Sequence, residues 1–142
     1  VLSASLDTIL RMQHAFALLV SKDPSGANAI VEELVAQRDE DGTQSGPRTV
    51  SIFTDFARFY RRVGALEISE SYARRAHRSG QDALPQGNWY AALATAELAY
   101  VLDAQGKTHE ARRYAEDAQA DLIATFGPED YRVTGLTNLL QK

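Results

Sequence analysis

Apolar residues recur at helical spacing along most of the chain. Between residues 89 and 102, Trp89, Leu93, Ala96, Ala99 and Leu102 repeat every three to four residues, and the residues around them are mostly helix-favouring ones such as Ala, Leu and Glu. No bounded stretch shows the clear alternation of period two that is typical of a β-strand. The pattern therefore predicts an all-α fold with helices at about 3–21, 26–38, 47–63, 66–79, 88–104, 108–125 and 129–141.

Residues that favour helix ends stand at several of these boundaries. Asn88 directly precedes one predicted helix, and the segment 127–130 places two acidic residues at the start of the last one. Gly106 is expected to end a helix in a conformation with positive φ, because glycine adopts that conformation at little cost. We expect Thr108 to cap the helix that follows.

The chain also repeats itself with a period of 42 residues. Phe56–Ala76 aligns with Leu98–Ala118 without a gap, and Ser69 meets the equally small Ala111. A first copy matches in residue class but has Lys22 where the others have glycine. The identical pairs are Ala57 and Ala99, Gly64 and Gly106, Tyr72 and Tyr114, Ala73 and Ala115, and Ala76 and Ala118.

Each copy predicts two antiparallel helices joined by a short turn. Such helices approach closely only where their side chains are small, and the two clear copies supply that seam. A single helical hairpin leaves one face wet, so neighbouring hairpins are expected to stack. The seam residues are Ala57, Ser69 and Ala76 in one copy and Ala99, Ala111 and Ala118 in the next.

The stretch LAYVLDAQGKTHEARRYAEDA, Leu98–Ala118, resembles a tetratricopeptide repeat (TPR). Its 42-residue period is similar to the lengthened repeats of kinesin light chains. Ser69, Lys22 and Thr95 depart from the family pattern. The resemblance implies one domain over 1–142, a right-handed α-solenoid of three hairpins (3–38, 47–79 and 88–125) closed by helix 129–141. HEAT-type repeats have a similar period and remain the structural alternative.

No motif in the chain predicts catalysis. Gly106-Lys107-Thr108 matches the end of a phosphate-binding loop, but Val101 stands where that loop needs its first glycine, and the preceding segment is helical. Cysteine is absent, and the histidines form no metal-binding motif. We predict a non-catalytic protein without cofactor or metal. We expect His14 at the edge of the core and expect His77 and His109 to be solvated.

Charge and hydropathy narrow the range of partners. The net charge is −4, which does not favour nucleic-acid binding. The apolar run Ala15–Val20 is too short to span a bilayer. We predict a cytoplasmic protein that binds neither nucleic acid nor membrane. The first residue is Val1 and not methionine, so the sequence leaves open whether the chain is a piece of a longer one.

Arginine is concentrated in the middle repeat, with six of the twelve arginines between Arg58 and Arg78. In TPR arrays the first helix of each repeat lines a concave groove, so the resemblance implies a partner site there. Arginine binds carboxylates through planar paired hydrogen bonds, and tyrosine offers a rigid contact. We predict that the groove binds a protein or peptide, with an acidic or C-terminal segment as one candidate. Its residues are Thr54, Arg58, Arg61, Tyr100, Asp103 and Asn138.

Two alternatives to this interaction module stay open. The domain is a regulatory or sensory part of a larger bacterial protein, such as a kinase or transcription regulator, or it is a scaffold that associates with itself. Self-association would use the N-terminal helix, whose apolar residues cover more than one face. These residues are Leu6, Ile9, Leu10, Met12, Phe16, Leu19 and Val20.

Overall fold

The computed structural model describes residues 2–40 and 47–142, with side chains described for 10–23, 25–34 and 49–142. Within these ranges the chain is all-α and has no β-strand, which confirms the predicted fold class. The predicted boundaries are close to the observed ones, and the largest difference is that α4 runs four residues further. The helices are α1 (Leu2–Val20), α2 (Pro24–Glu40), α3 (Pro47–Arg62), α4 (Leu66–Ala83), α5 (Trp89–Ala104), α6 (Thr108–Phe126) and α7 (Tyr131–Leu140).

The chain divides into two compact units, 1–44 and 45–142. The first consists of α1 packed on α2. The single domain expected over 1–142 stays a prediction. The buried apolar residues of the first unit are Ala15, Leu19, Ala27, Val31 and Leu34.

The turns after α1, α3 and α5 have the same geometry at intervals of 42 residues. Lys22, Gly64 and Gly106 have φ of 65°, 83° and 80°. In each turn this residue donates its N–H three residues back and the next residue donates five residues back, the two hydrogen bonds of a Schellman motif. The prediction that Gly106 ends a helix with positive φ is confirmed. Lys22 therefore occupies the position of the two glycines, which fixes the register of the first copy.

In the second unit, α3 packs on α4 and α5, and α5 packs on α6 and α7. The predicted small-residue seam is buried in both hairpins. At its one polar position, Ser69 Oγ donates a hydrogen bond of 2.6 Å to Ala57 O, so the hydroxyl is satisfied inside the core. The seam residues are Ala57, Ser69, Ala76, Ala99, Ala111 and Ala118.

In the second unit, side-chain caps begin α5 and α7. Asn88 Oδ1 accepts the N–H of Tyr90 at 2.9 Å, and Asp130 Oδ1 accepts the N–H of Arg132 at 2.9 Å. The prediction that Thr108 caps α6 is wrong. Lys107 occupies the cap position, without a side-chain hydrogen bond, and Thr108 is the first helical residue. The last residue of the Schellman turn, Lys107, directly precedes α6. Thr108 therefore already lies within the helix and cannot cap it.

Candidate functional site

Arg58, Arg61 and Tyr100 lie on one surface of the second unit. Arg58 and Arg61 are on α3, whose other faces bury Phe56 and Tyr60 completely. Tyr100 is half-buried on α5. The guanidinium carbon of Arg61 lies 5.2 Å from the centre of the Tyr100 ring, a distance at which a cation is attracted to the ring face. The structure thus brings together the three residues on which the predicted groove chiefly depends.

Glu97 holds both arginines in place. Arg61 Nε donates to Glu97 Oε1 at 2.6 Å and Arg61 Nη2 donates to Oε2 at 3.4 Å. Arg58 Nε lies 3.5 Å from Glu97 Oε2. The Glu97 side chain is only 3% exposed, so its charge depends on these partners. We refer to Arg58, Arg61, Glu97 and Tyr100 as the arginine cluster.

Sequence reasoning missed Glu97, although a signal for it exists. Within α5 it is the one charged residue before Asp103, in a stretch that is otherwise almost wholly apolar. A carboxylate in such a helix requires a cation or several donors once the helix is buried. Arg61 lies on the neighbouring helix at the position that meets this need.

Asp55 completes the charge balance of the arginine cluster. Arg58 Nη1 donates to Asp55 Oδ1 at 3.3 Å. Burial raises the pKa of Asp55; Arg58 lowers it, and Glu97 raises it further. Two guanidinium groups therefore face two carboxyl groups. Within the described part of the chain, Arg58 Nη2 and Arg61 Nη1 have no protein hydrogen-bond acceptor.

Tyr100 also connects the arginine cluster to α7. Its hydroxyl lies against Gly135, where a Cβ atom would fall well under 3.0 Å from the phenol oxygen. Burial raises the pKa of Tyr100, and the nearby Glu97 raises it further, whereas Arg61 and Arg58 lower it. The phenol is therefore neutral at physiological pH and keeps its proton as a potential hydrogen-bond donor.

The other three predicted groove residues have different positions. Thr54 is buried, and its Oγ1 donates to Val50 O at 2.7 Å. It faces the interior and offers no groove surface, because the hydroxyl satisfies itself on the preceding helical turn. Asp103 Oδ2 is 2.7 Å from Lys142 Nζ, so this carboxylate is paired. Asn138 is exposed on α7, and no described hydrogen bond joins it to the arginine cluster.

The histidines also differ from expectation. His14 is exposed and lies outside the core. His77 is half-buried, and its Nδ1 is 2.9 Å from Thr95 Oγ1, so it is not simply solvated. His109 is exposed, as predicted. In the described residues, no three histidine, aspartate or glutamate side chains are grouped so that they could hold a metal ion.

On α1, Leu10 is 56% and Val20 is 74% exposed, whereas Leu19 is buried. Met12 and Phe16 are half-buried. Leu6 and Ile9, which belong to the predicted apolar surface, lie outside the described side chains. Across residues 2–40 and 47–142, none of the helices combines the length and apolar character needed to cross a bilayer.

No protein-family profile matches the chain, and no curated protein is significantly similar to it.

Proposed function

We propose that the chain is a non-catalytic protein-interaction module built as a right-handed TPR-like solenoid. The recurrence of one Schellman turn at Lys22, Gly64 and Gly106 supports a repeating unit of two helices. The contacts of α5 with α3 and α7 support a surface formed by the first helix of successive repeats. This proposal holds equally for an independent protein and for a regulatory domain of a larger one.

The arginine cluster is the partner-binding part of this surface. The observation that carries the proposal is the shared anchorage of Arg58 and Arg61 on Glu97, with Tyr100 beside them. Side chains held by buried partners lose little conformational entropy when a ligand binds. A carboxylate of a partner segment would accept hydrogen bonds from Arg58 Nη2 and Arg61 Nη1, which lack an acceptor among the described residues.

The charge balance of the arginine cluster defines how this recognition works. Because Glu97 and Asp55 offset the two arginines, the cluster attracts anions weakly over long distances. Recognition then depends on short, directional hydrogen bonds to guanidinium groups. We expect binding to require a well-placed carboxylate, such as a chain terminus or a glutamate side chain, and to depend only modestly on salt.

Fluorescence anisotropy with a labelled tetraglutamate peptide tests this proposal. The variant Arg58→Glu/Arg61→Glu should weaken binding at least tenfold, while the circular dichroism spectrum should remain helical. Arg62→Glu is the matched control, since Arg62 is exposed on the same helix and lies outside the arginine cluster. Equal losses in the cluster variant and the control would refute the assignment, as would unchanged binding in the cluster variant.

The exposure of Leu10 and Val20 favours self-association through α1 as a second candidate function. Sedimentation velocity of the chain over a range of concentrations tests it. The variant Leu10→Glu/Val20→Glu should shift the population towards monomers, whereas a monomer at all concentrations in the unmodified chain would exclude this candidate.

A further inference from the structure

A cleft of about 700 Å³ lies between α4 and α6 in the second unit. Its walls are the C-terminal half of α4 and the middle of α6, residues 84–87 close one end, and α5 forms the floor. At Gly80 the floor comes very near, because a Cβ there would lie 3.1 Å from Ala91 Cβ. The volume is within the range typical of ligand-binding clefts.

The cleft results from a difference between the two hairpins at one position of the repeat. Thr95 on its floor stands 42 residues after Phe53, and Tyr114 on its wall stands 42 residues after Tyr72. The rings of Phe53 and Tyr72 stack at 6.3 Å and both are buried. Thr95 is much smaller than phenylalanine, so it offers Tyr114 no ring to stack on, and the His77 ring lies edge-on to Tyr114 at 5.2 Å instead. The space that Phe53 fills in one hairpin is therefore only partly filled in the next, and the remainder is open.

The charged residues that line this cleft are acidic. Glu116, Asp117 and Asp121 line it, and no lysine or arginine does. None of these three carboxylates has an ion pair within the described residues. Asp117 and Asp121 lie one helical turn apart, so both face the cleft from the same wall.

His77 adds another acceptor to the cleft. Thr95 Oγ1 donates its single proton to Ala91 O at 3.1 Å, so it accepts the hydrogen bond from His77 Nδ1. The neutral imidazole then carries an unprotonated Nε2. Tyr114 already has Arg113 over its ring, with the guanidinium carbon 5.3 Å from the ring centre. The carboxylates and His77, rather than the Tyr114 ring, are therefore the groups that would receive a cation, and Gln81 and Gln86 also line the cleft.

We propose that this cleft binds a short segment of a partner protein that carries lysine or arginine. Ammonium and guanidinium groups offer only hydrogen-bond donors, which complement a cleft rich in acceptors and in negative charge. From residue 77 to residue 83, α4 rises roughly 9 Å, which corresponds to about three residues of extended chain. The segment that fits is therefore about three residues long. This site is separate from the arginine cluster and selects the opposite charge.

Fluorescence anisotropy with a labelled tetraarginine peptide and the full chain tests the proposal. We expect Asp117→Asn/Asp121→Asn to weaken binding roughly tenfold, since two charged contacts are lost. Thr95→Phe should weaken it by a similar factor with all charges intact, because it restores the residue that fills this space in the preceding repeat. Glu67→Gln/Glu129→Gln is the matched control, since both glutamates are exposed and outside the cleft.

Equal weakening by the control pair would show attraction to net charge alone and would overturn the proposal. Full binding in the Thr95→Phe variant, with a helical circular dichroism spectrum, would also overturn it. If that variant does not fold, the aspartate pair decides between the outcomes. Self-association of the chain that disappears in the aspartate variant would assign the cleft to a second copy and would likewise refute a separate partner. Tetraglutamate binding at the arginine cluster is scored independently.

Discussion

The hairpins α3–α4 and α5–α6 share a scaffold but differ in what they place on it. Both turn through a glycine in the left-handed conformation, and both are joined by small buried residues. Yet α4 carries Arg74 and Arg75 at the positions where α6 carries Glu116 and Asp117. The repeat therefore conserves packing positions and leaves the charges of its surface free to vary.

The charges of the two hairpins are also used differently. Arg74 is paired with Glu70 and Glu110, with its Nη2 2.8 Å from Oε1 of each, and Arg75 lies over the Phe53 ring at 4.7 Å. Glu116 and Asp117 instead face an open cleft without an ion pair in the described residues. At these two repeat positions, the first hairpin uses its charges in contacts within the protein, whereas the second leaves its carboxylates without an ion pair among the described residues.

The largest effect should come from truncating equivalent core residues, which tests the shared scaffold. Tyr60 and Leu102 occupy the same repeat position and are fully buried. Tyr60→Ala should lower the free energy of unfolding by ~3–5 kcal/mol and Leu102→Ala by ~2–5 kcal/mol, because each leaves a cavity. Urea unfolding measures both. Val63→Ala, at an exposed position, should change it by less than ~0.5 kcal/mol. If Tyr60→Ala or Leu102→Ala lowered the free energy of unfolding by no more than the Val63→Ala control, the two hairpins would not be equivalent.

Neutralising the two acidic residues that share one repeat position should lower the free energy of unfolding by different amounts. Glu97 and Asp55 are 42 residues apart, with side chains 3% and 43% exposed. Glu97→Gln should destabilise the fold by ~1–2 kcal/mol, less than for a fully buried pair, because its arginine partners can regain water. Asp55→Asn should cost under ~0.5 kcal/mol, since burial already disfavours its charged form. Chemical denaturation at neutral pH compares the two, and a larger cost at Asp55 would contradict the assigned roles.

The contrast between hairpins explains how much could be predicted from sequence. Helix positions, the glycine turns and the small-residue seam follow from local periodicity and from the 42-residue repeat, and these were predicted closely. Thr54 was misplaced because periodicity assigns a face without showing how deeply the neighbouring helix covers it. Helix-wheel reasoning on α3 alone could not show that this face is buried.

Polar contacts between helices were harder to predict from the sequence than the helices themselves. Glu97 was overlooked because its partners lie 36 and 39 residues earlier in the chain. The cleft could not be predicted from the sequence for a similar reason. Thr95 departs from the TPR pattern, but only the packing of α4, α5 and α6 shows that a smaller residue there leaves space beside Tyr114.

Substitutions at the three equivalent turns should have smaller effects and opposite signs. A Cβ at Gly64 or Gly106 meets no atom within 4 Å, so Gly64→Ala and Gly106→Ala test backbone conformation alone. Each should cost ~1 kcal/mol, and the double variant about the sum. Lys22→Gly should instead stabilise its turn by ~0.5–1 kcal/mol, because lysine is strained at φ 65°. Thermal unfolding checks these signs; a stabilising alanine at either glycine would contradict them.

The smallest effect is a pH dependence confined to the α4–α6 side. Burial lowers the pKa of His77 below its usual 6.5, Asp117 raises it, and Arg74 lowers it; Thr95 and Tyr114 also face the ring. Because the unfolded chain binds this proton more readily, the stability from neutral His77 is present above pH 6.5 and is lost as the pH falls below it.

The variant His77→Gln isolates this contribution, since glutamine is the residue at the equivalent position 119 of α6. The free energy of unfolding should fall less between pH 7.5 and pH 5.5 in the variant than in the unmodified chain. The variant differs from the unmodified chain at residue 77 alone, so the contributions of all other residues cancel in this difference. An identical pH dependence would show that His77 is not desolvated between α4 and α6. It would also contradict the close contact between the His77 ring on α4 and the Tyr114 ring on α6.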